Sequence, residues 1–319
     1  FLSTTLSKNR KINGSKIHKD DIIFLLKEAK KQVLLNDSTH SIIHIFNHNY
    51  IVDGKTFAEE PIDVYANYLS HEMTFITMPK NNIKNINQIF IDCDIKVDRF
   101  ISSTFALGIQ LLNYNDLKFG SILIDIGSEK TSLGLFKNLS LINSMTFPIG
   151  VNHIIKDVAK VCLLTLEESK TIIQKIDFSF LDNTKIFDKN ELLIDSHFKK
   201  TNFRKISKTL LLNVIQDRQN EILETLKKQI VLSGFDPELG NNLYITGGGS
   251  KLTNLLKYYS IFFNTDVKQV EKKNIKESAV LEDDFAGCFG ALTLIKDGWE
   301  TEAIPVPSKN DSDKNSFFA

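Results

Sequence analysis

The chain has 319 residues, of which 42% are hydrophobic and 24% charged, so it has enough apolar material for a large core and for more than one domain. Its formal net charge is zero, which excludes a global field that would attract nucleic acid or an anionic membrane. Three widely separated cysteines match no disulfide framework or metal-ligand spacing, and the sequence shows no membrane-spanning apolar run and no signal peptide.

The first hundred residues are predicted to form a small α+β unit. Residues 20–34 carry apolar side chains at helical spacing behind an acidic first turn. Residues 41–54 are rich in β-branched and aromatic side chains and end on a turn signal, Asp53-Gly54. A further strand stops at Pro79, and residues 82–93 are a helix candidate. The order strand, helix, strand, strand predicts a small sheet with helices on one face, and we expect His44 and His48 to be structural residues of a strand.

The middle of the chain is predicted to hold a short strand and a helix at 97–112, followed by three strands at 121–126, 131–136 and 139–147. The last two strands are joined by a tight turn at Lys137-Asn138. A helix at 152–163 precedes a second one, which opens with the capping-box pair Thr165 and Glu168. Residues 177–206 are polar and predicted to be loop-rich.

The remaining sequence predicts a long amphipathic helix at 207–235 with Gly234 at its C-cap. Residues 242–263 indicate a strand, a glycine turn and a helix, and one more helix follows at 283–295. Residues 300–319 have the composition of a disordered linker.

One motif that can carry chemistry lies where a buried strand ends, in the stretch ILIDIGSEKTSLGLF. Ligands bind at the carboxyl ends of strands in open α/β sheets, and Asp125 at such an end can hold a hydrated Mg²⁺. Gly127 lets backbone N–H groups approach a phosphate, and Thr131 offers a hydroxyl. The alternative is an ordinary strand end, where an aspartate starts a turn.

The second motif is YITGGGSKL, in which Gly247, Gly248, Gly249 and Ser250 lie between a strand and a helix. Three consecutive glycines are more than a tight turn needs, and they allow a ligand to approach the backbone closely. The motif is neither a P-loop nor a dinucleotide fingerprint, because the residue order and glycine spacing differ from both.

The two motifs occur in the order of the second half of an actin-like ATPase, and the details resemble the FtsA family of bacterial cell division proteins. The resemblance rests on HIFNHNYIVDG, GSILIDIGSEKTSLGLF, TLEESKTI and LYITGGGSKLTNL, and it extends from Gly14 to about Trp299. It implies an α/β fold, an actin-like (ribonuclease H-like) core with an inserted small α+β subdomain. The implied divisions are residues 1–97 for the inserted subdomain, 98–117 for a remnant of the first core half, 118–299 for the second half with a peripheral part at 151–234, and 300–319 for the linker.

The resemblance also implies a function: tethering FtsZ filaments to the cytoplasmic face of the inner membrane at the division site, self-assembly with bound ATP and Mg²⁺, and recruitment of later division proteins. The implied nucleotide-binding residues are Asp125, Gly127, Thr131, Asn220, Gly247, Gly248, Gly249 and Ser250, with Asp125 holding Mg²⁺ through water. Glu129 and Lys130 replace glycines of the family pattern, and Asn220-Glu221 replaces a pair of acids. A carboxylate beside phosphates repels them, so we expect weakened nucleotide binding and little or no hydrolysis.

The family binds the acidic tail of FtsZ in the subdomain between the core halves. The matching region here contains a basic cluster whose candidate contacts are Arg204, Lys205 and Lys208, with Lys199 and Lys200 nearby. An acidic peptide can dock there through charge-assisted hydrogen bonds, although a solvated run of charges is an equal alternative.

The first phosphate loop of the family and its C-terminal membrane helix are both missing from this sequence, so we expect it to be a fragment. Two other functions stay open. One is a PilM-type pilus-assembly protein, which shares the inserted domain. The other is a sugar kinase of the same superfamily, although residues 1–100 offer no catalytic aspartate and sugar pocket for it.

Overall fold

The computed structural model describes residues 2–175, 192, 205–235, 242–252, 254–269 and 285–296. The chain divides into two compact units. The first comprises Phe1–Ser121, Gly134–Met145 and Lys272–Ala319, and the second comprises Ile122–Leu133 and Thr146–Glu271. Residues 177–191 and 193–204 of the predicted loop-rich segment 177–206, and the predicted linker 300–319, lie outside the described residues.

The first unit is built on a four-stranded sheet of β1 (Leu2–Lys16), β2 (His40–Val52), β3 (Lys55–Phe57) and β4 (Tyr65–Pro79). The strand order is β1-β4-β2-β3, and every neighbouring pair is antiparallel. Asp53 and Gly54 both have positive φ, so they form the tight turn from β2 to β3 that the sequence predicts. The Asp53 carboxylate also accepts the N–H groups of Asn67 and Tyr68 and so ties this turn to β4.

Helix α1 (Lys19–Asn36) covers one face of this sheet. Its Leu26, Ala29 and Val33 pack with Ile45 of β2 and Phe75 of β4 in a buried cluster. Such burial stabilises the fold by roughly 1.5–3 kcal/mol for each large apolar side chain. The apolar spacing of residues 20–34 therefore predicts both the helix and its buried face correctly.

The opposite face of the sheet is also covered, so the prediction of helices on one face is wrong. Phe46 of β2 meets Phe105 of α3 (Ser103–Leu111) edge to face, with ring centroids 4.6 Å apart. On β4, the Thr74 hydroxyl donates to the Ile142 carbonyl of β7 (Ser140–Phe147) at 2.6 Å. The sequence of the sheet does not indicate this second layer, because the residues of α3 and β7 that form it follow β4 by more than twenty positions.

Three histidines of the sheet are buried and neutral. The Nε2 atom of His44 accepts the N–H of Ser102 at 2.9 Å, and Nε2 of His48 bonds the Thr74 hydroxyl. His71 stacks on Tyr50, with ring centroids 4.3 Å apart. Burial lowers the pKa of His44 and of His48 to about 4, and burial together with repulsion by His48 in its protonated form lowers the pKa of His71 to about 3. As predicted, His44 and His48 are residues of a strand.

The first unit also contains α2 (Lys80–Ile91), α4 (Tyr114–Phe119) and α9 (Ala286–Lys296). The short strand predicted ahead of α3 is absent, since residues 95–102 form no strand. Helix α9 packs on α3 with almost no gap, because a Cβ at Gly290 would overlap the Ala106 carbonyl oxygen and lie 2.6 Å from its carbon. Gly290 therefore allows the two helices to meet backbone to backbone.

A second sheet contains β5 (Ser121–Ile126), β6 (Thr131–Lys137), β7, β8 (Asn242–Thr246) and β9 (Val267–Gln269) in the order β7-β6-β5-β8-β9. Strands β8 and β9 are parallel. The turn between β6 and β7 has positive φ at Asn138 and Leu139 (51° and 59°), so it is centred one residue later than predicted. Its two N–H groups donate to the carbonyls of Lys118 and Leu117.

The helices of the second unit are α5 (Val151–Cys162), α6 (Leu166–Lys175), α7 (Lys208–Leu232) and α8 (Leu255–Phe263), with a 3₁₀ turn at Gly248–Lys251. The predicted capping box of α6 is present, since Thr165 and Glu168 bond each other's backbone N–H groups. Gly234 lies one residue beyond the C-cap of α7, where its positive φ closes the helix end. None of the helices in the described parts of the chain is long and apolar enough to cross a membrane.

Candidate functional site

The fold brings the two sequence motifs into direct contact within the second unit. Asp125 is the next-to-last residue of β5, and Gly247 follows β8, the neighbouring strand. A Cβ at Gly247 would overlap Oδ1 of Asp125 and lie 2.6 Å from the Ile126 carbonyl oxygen. The glycine loop and the aspartate therefore share one edge of the sheet, where open α/β sheets bind ligands.

The three glycines of the loop have different surroundings. Gly247 has φ 87° and ψ 169°, a conformation essentially restricted to glycine. A Cβ at Gly249 would overlap Cγ2 of Ile126 and lie 2.8 Å from Cγ2 of Val151, so that position must also be small. Gly248 has no neighbour within 4 Å of a built Cβ. The fold thus requires glycine at the first and third positions, whereas the middle glycine is exposed and has open space where a side chain would begin.

Asp125 is half-buried at the end of its strand. Burial raises the pKa of its carboxyl, and the positive charge of Lys130 acts in the opposite direction. Within the described residues, no group of three or more His, Cys, Asp or Glu side chains could enclose a metal ion. A single carboxylate fits Mg²⁺ that keeps most of its water and is otherwise bound by phosphates.

The turn from Gly127 to Lys130 connects β5 to β6 and is held against the start of α5. The Gly127 N–H donates to the Lys130 carbonyl at 2.9 Å. The carbonyls of Gly127 and Ser128 accept the N–H groups of Val151 at 3.1 Å and Asn152 at 2.8 Å. The N–H groups of Ser128, Glu129 and Lys130 donate to no acceptor in the described part of the chain, so they fit the oxygens of a phosphate.

Glu129 points its carboxylate at α5. The Asn152 side-chain amide donates to Oε1 at 2.6 Å, and the Lys156 ammonium lies 3.7 Å from Oε2. The Asn152 hydrogen bond is the main cause that lowers the pKa of Glu129, and the charge of Lys156 contributes. Sequence reasoning missed Asn152 and Lys156, because both lie on a helix more than twenty residues after the turn.

The sequence interpretation also did not single out Gly150, which directly precedes α5. A Cβ there would lie 2.6 Å from the carbonyl oxygens of Gly127 and Ser128. Glycine is therefore needed for the turn to lie this close to α5. The signal in the sequence that could have identified Gly150 is its position directly before a predicted helix.

Two predicted donors are already engaged within the protein. Thr131 is fully buried, and its hydroxyl donates to the Ile149 carbonyl at 2.7 Å. The Ser250 hydroxyl donates to the Gly247 carbonyl, also at 2.7 Å. Both side chains thus stabilise the loops. Because each hydroxyl already donates its proton, it can only accept a hydrogen bond from a ligand.

Asn220 lies on α7, where its side-chain oxygen accepts the hydroxyl proton of Tyr258 on α8. The adjacent Glu221 is bound by Arg218, which also donates to Asp157 of α5 at 2.7 Å. The position that the family resemblance assigns to nucleotide binding thus lies among hydrogen bonds that join α5, α7 and α8.

Only part of the predicted basic cluster lies in the described residues. Arg204, Lys199 and Lys200 fall outside them, whereas Lys205 is exposed and Lys208 is the first residue of α7. Ser207 caps this helix by accepting the N–H of Leu210 at 3.2 Å. The start of α7 therefore carries two lysines beside a helix N-terminus.

Comparison with known proteins places these features in a family. Residues 122–290 match the family described as cell division protein FtsA, and residues 2–77 match the SHS2 domain inserted in FtsA. A cell division protein FtsA of Buchnera aphidicola (Schizaphis graminum) is 26% identical over 291 residues, which are 88% of this chain and 68% of that protein. The corresponding protein of Agrobacterium fabrum is 23% identical over 244 residues, 76% of this chain and 55% of its own length. The chain thus spans about half the length of some of these relatives.

Two solved structures share the fold. A PilM–PilN type IV pilus biogenesis complex matches with a TM-score of 0.58 at 11% identity, over 92% of this chain and 76% of that one. MreB 5 of Spiroplasma citri bound to AMPPNP matches with a TM-score of 0.51 at 15% identity, over 69% of this chain and 65% of that one. These similarities concern the fold alone, and they confirm the predicted actin-like α/β class.

Proposed function

Because this chain belongs to the FtsA family of cell division proteins, we propose that it is an actin-like adaptor that tethers FtsZ filaments to the cytoplasmic membrane at the division site. We further propose that it self-assembles with bound nucleotide, recruits later division proteins, and reaches the inner membrane through a C-terminal helix.

The observation that carries the nucleotide part of this proposal is the contact of Gly247 with Asp125. The open position at Gly248 and the available N–H groups of residues 128–130 support a bound polyphosphate there. In this assignment ATP would bind at the two loops, and Asp125 would hold a hydrated Mg²⁺ whose charge would offset that of the phosphates. The chain's own residues position the phosphates through backbone donors.

We propose weak nucleotide binding and little or no hydrolysis. The supporting observations are the Thr131 hydroxyl and the Asn220 side-chain oxygen, both of which are engaged within the protein. Equilibrium binding of ATP to the full-length protein and release of phosphate test this directly. Micromolar affinity together with steady turnover would contradict it.

The proposed site for the acidic FtsZ tail is the start of α7. Lys205 and Lys208 supply positive charge there, and a helix N-terminus carries about half a positive charge of its own. A carboxylate-rich peptide therefore finds favourable charge on a protein whose net charge is zero. Such contacts weaken at high salt because exposed charges are screened.

The matched test reverses charge at this site and at a distant one. Arg204→Glu with Lys205→Glu should abolish capture of the protein by an immobilised FtsZ tail peptide. Lys228→Glu changes an exposed lysine near the other end of α7 and should leave capture intact. Equal capture by both variants would refute the assignment.

A PilM-type role is the second candidate, since the PilM–PilN likeness covers 92% of the chain. That likeness is one of fold, whereas both family matches describe FtsA, so the division role is favoured. Co-sedimentation of the full-length protein with FtsZ filaments separates the two roles. The sugar-kinase alternative has no supporting observation among the described residues.

A further inference from the structure

We propose that Asn152 is a positioning residue for the proposed nucleotide site: it holds the Glu129 carboxylate on α5 and so keeps a negative charge away from the phosphates. This inference rests on the proposed nucleotide site and concerns a side chain that the family resemblance leaves without a role. The turn from Gly127 to Lys130 offers backbone N–H groups to a phosphate, yet it also contains an acidic residue. The direction of that carboxylate therefore decides whether the turn attracts or repels an anion.

The Glu129 carboxylate is held by two side chains of α5. The Asn152 side-chain amide donates to Oε1 at 2.6 Å, whereas the Lys156 ammonium lies 3.7 Å from Oε2, beyond ordinary hydrogen-bond range. The side chains of Lys156 and Glu129 are 56% and 60% exposed, so an ion pair between them at this distance contributes little. Asn152 is therefore the main restraint on the direction of the carboxylate.

The backbone of Asn152 is bonded to the same turn. Its N–H donates to the Ser128 carbonyl at 2.8 Å, and the N–H of the preceding Val151 donates to the Gly127 carbonyl at 3.1 Å. Asn152 thus binds one residue of the turn through its backbone and the next residue, Glu129, through its side chain. Alanine at this position would release the carboxylate and leave both backbone bonds between the turn and α5 in place.

A released Glu129 carboxylate would share the turn with the phosphate oxygens. Glu129 is the middle one of residues 128–130, whose N–H groups donate to no acceptor in the described part of the chain. Like charges this close repel each other, and solvent and salt reduce that repulsion without removing it. By binding Glu129 to α5, Asn152 allows the turn to bind phosphate although it contains an acidic residue.

The test is a cycle of variants at the two positions, with ATP affinity as the readout. Equilibrium dialysis with ATP and Mg²⁺ is carried out on the full-length natural protein, Asn152→Ala, Glu129→Gln and the double variant. We expect Asn152→Ala to bind ATP about tenfold more weakly, equal to about 1.4 kcal/mol, and less so in about 0.5 M KCl, because salt screens exposed charges. The double variant should bind within about twofold of Glu129→Gln, because its uncharged side chain does not repel phosphates. Lys160→Ala, which removes an exposed lysine one turn further along α5, should leave the affinity unchanged.

A second pair of variants preserves the size of both side chains. Asn152→Asp replaces the amide donor with a second carboxylate, so it should weaken ATP binding at least as much as Asn152→Ala. When Asn152→Asp is combined with Glu129→Gln, the glutamine amide can donate to the aspartate, which restores the bond with donor and acceptor exchanged. This pair has the same net charge as the natural one, and its ATP affinity should recover to within about threefold of the natural protein.

The results distinguish this inference from the site on which it rests. Unchanged ATP affinity of both Asn152 variants would overturn the role of Asn152 and leave the nucleotide site standing. An equal loss from Asn152→Ala in the natural and Glu129→Gln backgrounds would also overturn it, because Asn152 would then act by a route other than the Glu129 charge. A natural protein that does not bind ATP overturns both. Thermal unfolding identifies a variant that has lost its fold, and Asn152→Asp with its double variant then decides the question.

Discussion

Replacing Gly247 and Gly248 one at a time should separate the role of the loop glycines in the fold from their role in binding. Gly247→Ala puts a Cβ onto the Asp125 carboxylate at φ 87° and ψ 169°. The backbone conformation costs a residue with a Cβ about 1–3 kcal/mol, and the overlap costs about 1–3 kcal/mol more. Gly248→Ala has no close neighbour and no unusual φ, so it should change stability by less than about 1 kcal/mol, in the stabilising direction.

The assay is urea unfolding followed by circular dichroism, paired with ATP binding. We expect Gly247→Ala to be at least about 2 kcal/mol less stable than Gly248→Ala. Gly248→Leu should keep its stability but lose ATP binding, because the leucine side chain would occupy the open space beside Gly248 where we propose that a phosphate binds. Equal stability of Gly247→Ala and Gly248→Ala would refute the close approach to Asp125. Unchanged ATP affinity of Gly248→Leu would contradict the proposal that a phosphate binds beside Gly248.

Two further predictions concern the first unit. Its buried histidines have folded-state pKa values of about 4 (His44, His48) and about 3 (His71), below the ordinary 6.5. As pH falls, the unfolded chain therefore binds protons at these histidines before the folded protein does. The contribution of each histidine to the free energy of unfolding is complete above pH 6.5, and about 3 kcal/mol of it per histidine is lost by pH 4. Urea midpoints at pH 7 and pH 4.5 test this, and equal midpoints would contradict it. Gly290→Ala should destabilise the α3–α9 contact by about 1–3 kcal/mol or more, whereas Gly287→Ala, whose Cβ would have its nearest neighbour at 3.9 Å, should not. Similar thermal unfolding of these two variants would contradict the backbone contact.

Local signals account for what the sequence predicted well. The capping pair of α6, the apolar spacing of α1, and the glycines after β8 each act within a few residues, so they are readable from one chain. The resemblance assigns Asp125 and Gly247 to one nucleotide site, and the two residues meet because they lie at the ends of β5 and β8, which are neighbouring strands of one sheet. The actin-like class was recognised from the order of these motifs.

Long-range contacts account for what the sequence did not predict. Glu129 was interpreted as a charge facing phosphate, yet its direction is set by Asn152 and Lys156 on α5. The turn between β6 and β7 was placed one residue early, because Leu139 is an unusual residue for positive φ and is held there by the carbonyl of Leu117. Likewise, nothing within residues 40–79 signals that both faces of their sheet are covered.

The backbone bonds between the Gly127–Lys130 turn and α5 have a mechanical consequence. The carbonyls of Gly127 and Ser128 accept hydrogen bonds from the first two N–H groups of the helix, which have no partner within the helix itself. The turn and the start of the helix are therefore bonded directly to each other. Helix α5 has 12 residues and is about 18 Å long, and it packs along α6 and α7. Because these two hydrogen bonds join the turn to the first residues of α5, a displacement of the turn must either break them or carry the start of the helix with it.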